Sequence, residues 1–308
     1  MRILVIGAGA VGGYFGGRLA EAGRAVTFLV RSRRAEEISK RGLRIVSPHG
    51  DATVHPRVIT ADAIDAPYDL ILLSVKAYGL AGAMEDFAPA VGPATMILPV
   101  LNGMRHLELL AERFGAQAVL GGVCFVSTDL GADGEVVQLT ETQKLVYGEP
   151  DGGISERVRA VDEAMQGANF EAQLSEHIMP DMWAKWVLLA SLGSLTCLMR
   201  GNIGEIEAVA GGTEIALGVL RECSEISTAC GFAPNEARTL KAQKTFTTKG
   251  STLTSSMYRD LIKGGHVEVD EIIGDLLRRG QEHNVSTPLL KAAFVNLSVY
   301  SGRLEPLA

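Results

Sequence analysis

Short apolar runs punctuate the first half of the chain, at residues 3–6, 26–30, 69–75, 95–100 and 119–126, and stretches of helical periodicity separate them. Alternation of this kind predicts a parallel sheet covered by helices. The run Leu70-Ile71-Leu72-Leu73 has no polar alternation, so its strand is expected to be buried on both faces and the sheet doubly wound. Two hairpin-like excursions interrupt the pattern: residues 43–54, with Pro48-His49-Gly50-Asp51 at the turn, and a second around Gly131-Ala132-Asp133-Gly134. A loop follows at Glu149-Pro150-Asp151-Gly152-Gly153.

From about Pro180 the β signal vanishes and helical periodicity takes over, near residues 181–199, 205–230, 234–245, 266–283 and 288–300. Gly231 reads as a helix end, Pro234 or Asn235 as a start, and Thr287-Pro288 places proline at a first helical position. The pattern divides the chain into an α/β domain, 1–178, and an all-helical domain, 179–308. The stretch 186–199 is broken by Ser191, Gly193, Ser194 and Thr196 and is shorter than a bilayer span, so it reads as a buried helix.

Composition changes this picture little. The 308 residues are 47% apolar and 21% charged, enough for two buried cores and without a disordered signature. The net charge of −7, with no basic block, argues against nucleic acid and anionic membranes as partners. Cys124, Cys197, Cys223 and Cys230 form no CxxC pair and suit a reduced, cytoplasmic setting. His106, His177, His266 and His283 show no metal-binding spacing, so no metal is expected.

The sharpest chemical signal is Gly7-Ala8-Gly9-Ala10-Val11-Gly12, which directly follows the first strand and opens a helix. Gly7 suits a tight turn, Gly9 lets backbone approach a pyrophosphate, and Gly12 lets the helix pack on the strand. The N–H groups at Ala10 and Val11 would then face the phosphates at the helix N-terminus. After the second strand, an NAD site normally carries an acidic residue to accept from the ribose. This chain has Val30-Arg31-Ser32-Arg33-Arg34 instead. Arginine donates only and matches a phosphate, so Arg31 points to NADPH; Arg33 and Arg34 read equally well as a solvated helix start.

Four more segments, with that fingerprint, resemble the ketopantoate reductase family. They are Ser74-Val75-Lys76-Ala77-Tyr78, Leu101-Asn102-Gly103-Met104, Met182-Trp183-Ala184-Lys185-Trp186, and Thr254-Ser255-Ser256-Met257-Tyr258-Arg259-Asp260 with Val267-Glu268-Val269-Asp270 after it. The resemblance implies a Rossmann domain followed by a helical domain, acting on NADPH and a 2-oxo acid. It makes Lys185 the general acid, and Glu268 the carboxylate that holds the nascent hydroxyl and the lysine and also borders the cofactor. Asn102 would orient substrate beside the nicotinamide, Ser256 would bind the substrate carboxylate, and Lys76 would lie near the nicotinamide ribose.

Each assignment has a structural competitor. Asp181 and Lys185 stand four apart on a helix and suit a surface pair; Glu268 suits a helix start, Ser256 a cap and Asn102-Gly103 a turn. The chain also departs from the family pattern. Leu189 and Gly193 occupy positions where typical members carry asparagines, and Asn202 falls beside the family's asparagine for the substrate's hydroxyl end. A roomier, more apolar pocket is therefore expected. The first expectation is reduction of ketopantoate to pantoate in pantothenate synthesis. The alternatives are reduction of another 2-oxo acid or derived imine and, from a different class, a non-catalytic NADP sensor. The apolar helix faces of the second half are compatible with a homodimer.

Overall fold

The computed structural model describes residues 1–304; the last four residues of the expected helical domain lie outside the described residues. The first unit comprises Met1–Leu101 and His106–Met179. Its elements are β1 (Arg2–Ile6), α1 (Ala10–Glu21), β2 (Ala25–Leu29), α2 (Ser32–Arg41), β3 (Leu43–Val46), β4 (Ala52–Val54), β5 (Arg57–Ile59), β6 (Leu70–Leu73), α3 (Leu80–Phe87), β7 (Met96–Pro99), α4 (Arg105–Phe114), β8 (Gly121–Leu130), β9 (Val136–Gly148), α5 (Glu156–Met165) and β10 (Glu171–Leu174).

Side chains alternate between faces along a strand, and the main sheet uses both. Ile3, Val5, Leu70, Leu72, Met96 and Leu98 join one buried cluster with Tyr14, Phe15 and Leu19 of α1. Leu4, Ile6, Ile71, Leu73 and Ile97 join another with Leu80 and Phe87 of α3 and Leu110 of α4. This double coverage explains the absence of polar alternation in the sequence. The strand order β5-β2-β1-β6-β7 is parallel throughout, giving a Rossmann-type sheet. The chain leaves β1 toward one edge and returns to the other side at β6, so the ends of these strands flank the topological switch point.

Two details differ from the sequence expectation. Residues 119–126 do not add a full strand to this sheet: Val119 bridges Ile97, and β8 then pairs antiparallel with β9 in a second sheet, β10-β9-β3-β4. An apolar run specifies burial but not partner, and the turn at Gly131–Gly134 supplies a closer one. The three-residue edge strand β5 was too short to register as a pattern.

The second unit comprises Asn102–Arg105 and Pro180 onward. Its helices are α6 (Ile178–Met199), α7 (Ile203–Glu207), α8 (Gly212–Ala229), α9 (Glu236–Phe246), α10 (Ser256–Ile262), α11 (Asp275–Glu282) and α12 (Pro288–Ser301), with a π-helical turn at Asp270–Gly274 leading into α11. No strand occurs among its described residues. The helix expected over 205–230 is divided, because Gly211 adopts φ +83° and a Cβ on Gly212 would lie 1.7 Å from the carbonyl oxygen of Ile206. Helix α6 is long and apolar enough to cross a membrane by composition, yet 67% of its most apolar window is buried inside the protein.

Candidate active site

In the first unit the glycine motif wraps the end of β1. Gly7 adopts φ +88° and donates its N–H to Leu29 O at 3.0 Å, turning the chain beside the end of β2. A Cβ on Gly12 would fall 2.0 Å from Ser74 Oγ and 2.4 Å from Gly7 O, so only glycine lets α1 start this close to the strands. Ser74 is a residue that sequence reasoning quoted but gave no role. Its hydroxyl donates to Ile6 O at 2.9 Å and ties the end of β6 to the turn. Space is open around Gly9, the N-cap of α1, and no side chain caps the helix or places a negative charge in its first turn. The N–H groups at Ala10 and Val11 therefore remain for an anionic ligand, which fits a dinucleotide pyrophosphate.

Arg31 stands at the N-cap of α2, just past β2, and is exposed. Among the described residues its guanidinium has no hydrogen-bond or ion-pair partner. Its neighbours are committed elsewhere: Arg34 donates to Gly134 O at 2.7 Å and to Glu37, while Arg33 pairs with Glu37 at 3.1 Å. Both arginines pull the Glu37 carboxyl below its ordinary pKa. Lys76 is exposed three residues past β6, on the other side of β1 from Arg31. The first unit thus gathers Gly7, Gly9, Ala10, Val11, Gly12, Arg31 and Lys76 around the switch point.

In the second unit four segments are linked pairwise by contacts that can be traced atom by atom. Trp186, adjacent to Lys185 on α6, donates its indole N–H to Ile272 O at 2.9 Å, reaching the turn that follows Glu268. Thr196, lower on α6, shares a 2.9 Å hydroxyl bond with Ser255. Ser255 in turn caps α10 by accepting from the N–H of Tyr258 at 2.9 Å. Gly103 adopts φ +80°, and a Cβ there would lie 2.5 Å from Glu271 O, so the Asn102 turn rests on the π-helical turn. The segments carrying Lys185, Glu268 and Asn102 thus meet at the π-helical turn, and the segment carrying Ser256 is tied to α6 about three turns further along, at Thr196.

The competing roles can now be weighed individually. The cap of α10 is Ser255, which leaves Ser256 at the first helical position, half-buried, with no hydrogen-bond partner among the described residues. Asp181 pairs with Arg238, and both Asp181 and Lys185 make a further interaction, so the surface pair stays open beside the catalytic role. Lys185 is half-buried and Glu268 buried, at 7% exposure. Asn202 has a different job from the one expected: its amide oxygen accepts from Glu205 N at 2.9 Å while its N–H donates to Glu205 Oε2 at 2.7 Å, a capping box that starts α7. Opposite Gly193, the Met257 thioether would meet a Cβ at only 3.5 Å, so the space left by the missing side chain is partly filled.

Electrostatics adds one group absent from the expectation. Glu271 is half-buried, and burial, with the nearby charges of Glu268 and Asp270, raises its carboxyl pKa; Arg105 opposes this. No sequence signal singled it out, since acidic residues are ordinary at a helix start. Burial pushes the thiols of Cys197 and Cys223 up to about 12, which keeps both protonated and inert near neutrality. The described residues contain no metal-ligating cluster.

Comparison with known proteins gives the scaffold its family. The family model for ketopantoate reductase PanE/ApbA matches residues 3–152, and the model for the C-terminal part of the same family matches residues 177–301. The chain belongs to the ketopantoate reductase family. It is therefore an oxidoreductase, on the fold described above. An uncharacterized oxidoreductase YkpB of Bacillus subtilis is 36% identical over 300 residues, covering 97% of this chain and 99% of that protein. The crystal structure of a 2-dehydropantoate 2-reductase from Methylococcus capsulatus superimposes with a TM-score of 0.87 at 27% identity, covering 98% of this chain and 97% of the other. A D-mandelate dehydrogenase solved with NADH and anilino(oxo)acetate shares the fold, with a TM-score of 0.86, at 19% identity and coverages of 98% and 99%.

Proposed function

We propose that the protein reduces a 2-oxo acid to a 2-hydroxy acid with NADPH, ketopantoate being the first candidate and pantothenate synthesis the corresponding pathway. The observation that carries this reading is that the segments carrying Lys185, Glu268 and Asn102 meet at the π-helical turn, with the Ser256 segment tied to the same helix as Lys185. The nicotinamide supplies the hydride. Lys185 donates the proton that the carbonyl oxygen needs as hydride reaches carbon. Glu268 holds the lysine and the nascent hydroxyl and borders the cofactor, while Ser256 receives the substrate carboxylate. Asn102 orients the carbonyl beside the nicotinamide, and Lys76 contacts the ribose next to it. Most of the acceleration on this account comes from orientation of the reactants.

Arg31 supports NADPH over NADH, being exposed and without another partner where a 2′-phosphate would stand. Leu189 and Gly193 favour a second reading, in which the natural substrate is a different 2-oxo acid or a derived imine. A cytoplasmic location and a homodimer complete the proposal, and the substrate is its small-molecule partner. Replacing Lys185 with Ala is expected to lower turnover about 100- to 10,000-fold while leaving NADPH affinity, measured by fluorescence titration, unchanged. Wild-type turnover in that variant contradicts the assignment.

A further inference from the structure

We propose that the π-helical turn Asp270–Gly274 is the positioning element of the site, and that Trp186 is the contact through which it sets the register of Lys185 on α6. The inference rests on the roles proposed for Lys185 and Glu268 and adds residues that those roles do not require. π-Helical turns are rare and concentrate at functional sites. This one begins two residues after Glu268, whose carbonyl accepts from the N–H of Ile272 at 3.1 Å. In a regular α-helix an interior carbonyl is taken by the N–H four residues further on. Here the pairing register changes, and the carbonyl of Ile272 accepts at 2.9 Å from an indole outside the helix.

Both partners of that bond are buried, Trp186 at 1% and Ile272 at 3% exposure, so leaving either unpaired is costly. The indole is also held by its face. The guanidinium of Arg279 lies 5.5 Å from the Trp186 ring centroid and 5.8 Å from that of Trp183. Arg279 is fixed in turn by a 3.1 Å bond to the buried carboxylate of Asp275, the first residue after the π-helical turn. On its remaining side the turn meets the Asn102 segment, where a Cβ on Gly103 would lie 2.5 Å from the carbonyl oxygen of Glu271. One widened turn therefore touches three of the proposed site segments. It adjoins Glu268 in the chain, supports Asn102 by backbone contact, and pins α6 one residue from Lys185.

Trp183 provides the internal control. It packs on Trp186, with ring centroids 4.9 Å apart, and on Phe232 at 5.3 Å, and it shares Arg279, but the indole bond to Ile272 belongs to Trp186. The test compares Trp186→Phe with Trp183→Phe in the full chain, reading kcat, the pH profile of kcat, KM for NADPH and thermal unfolding with the best-used 2-oxo acid. Trp186→Phe is expected to lower kcat about 10- to 100-fold, with a shifted pH profile and unchanged KM for NADPH, the scale set by small misplacements of a reacting group. Trp183→Phe is expected to stay within about threefold of wild type in kcat with an unmoved profile. An active wild type whose Trp186→Phe variant keeps kcat and pH profile, or whose two variants lose kcat equally, overturns the positioning role alone. A wild type that reduces no 2-oxo acid overturns the site reading and this inference with it.

Discussion

On the proposed reading, single side chains set the cofactor and the chemistry. Arg31 stands where related nucleotide sites place an acid, and two neighbouring arginines that look interchangeable with it in sequence are not: Arg34 braces the Gly134 turn and Arg33 pairs with Glu37 on the helix surface. A charge-assisted bond to phosphate contributes about 1.5 to 3 kcal/mol, so Arg31→Ala is expected to weaken NADPH binding roughly 10- to 100-fold and leave NADH binding nearly unchanged. Equal loss for both cofactors, in a binding titration, contradicts a 2′-phosphate role. Asn202 teaches the opposite lesson. Its residue type and place in the chain suggested substrate binding, yet it sits three residues before a glutamate, which is also the signature of a capping box, and the structure uses it there.

At the scale of elements, strands β1, β2, β6 and β7 of the main sheet were readable because burial on both faces leaves unbroken apolar runs, and α1 because three glycines and a preceding strand leave few alternatives. Partner choice was not readable. The run at 119–126 announced a buried strand, but its pairing with β9 depends on a turn whose hydrogen bonds lie outside the run. The π-helical turn left no signal either: its contacts are tertiary, an indole of α6 donating to Ile272 O and the Gly103 backbone lying close to Glu271 O. Glu222 illustrates another such tertiary device. It is buried on α8 and accepts from the N–H groups of Leu289 and Leu290 at 3.1 and 2.8 Å, acting as a remote cap for α12, whose own N-cap Thr287 makes no side-chain bond. Glu222→Ala is expected to cost about 2 to 3 kcal/mol and several degrees in Tm, with Glu222→Gln losing less. An unchanged Tm in the alanine variant contradicts the capping role.

The described residues form two units, the first carrying the groups proposed to bind nucleotide and the second the proposed acid and substrate groups, and their stabilities should respond differently to acid. In the first unit the Arg157 fork and the Ser155 hydroxyl hold the pKa of the Glu149 carboxyl below its ordinary value. The same Ser155 caps α5. A lowered folded pKa stabilises the fold fully above the ordinary carboxylate range, and that contribution is lost as pH falls through the lower folded value. Unfolding followed by near-UV signal should therefore show an acid-sensitive transition of the first unit that Glu149→Gln weakens at neutral pH and flattens in acid; an identical acid limb in the variant contradicts this.

The central claim is that the two units together reduce a 2-oxo acid at the expense of NADPH. The most direct test follows NADPH oxidation by absorbance with ketopantoate beside a panel of branched and aromatic 2-oxo acids. The account predicts saturable turnover with at least one of them, best with ketopantoate if Leu189 and Gly193 are tolerated changes and best with another acid if they reset the pocket. No oxidation with any member of the panel contradicts it.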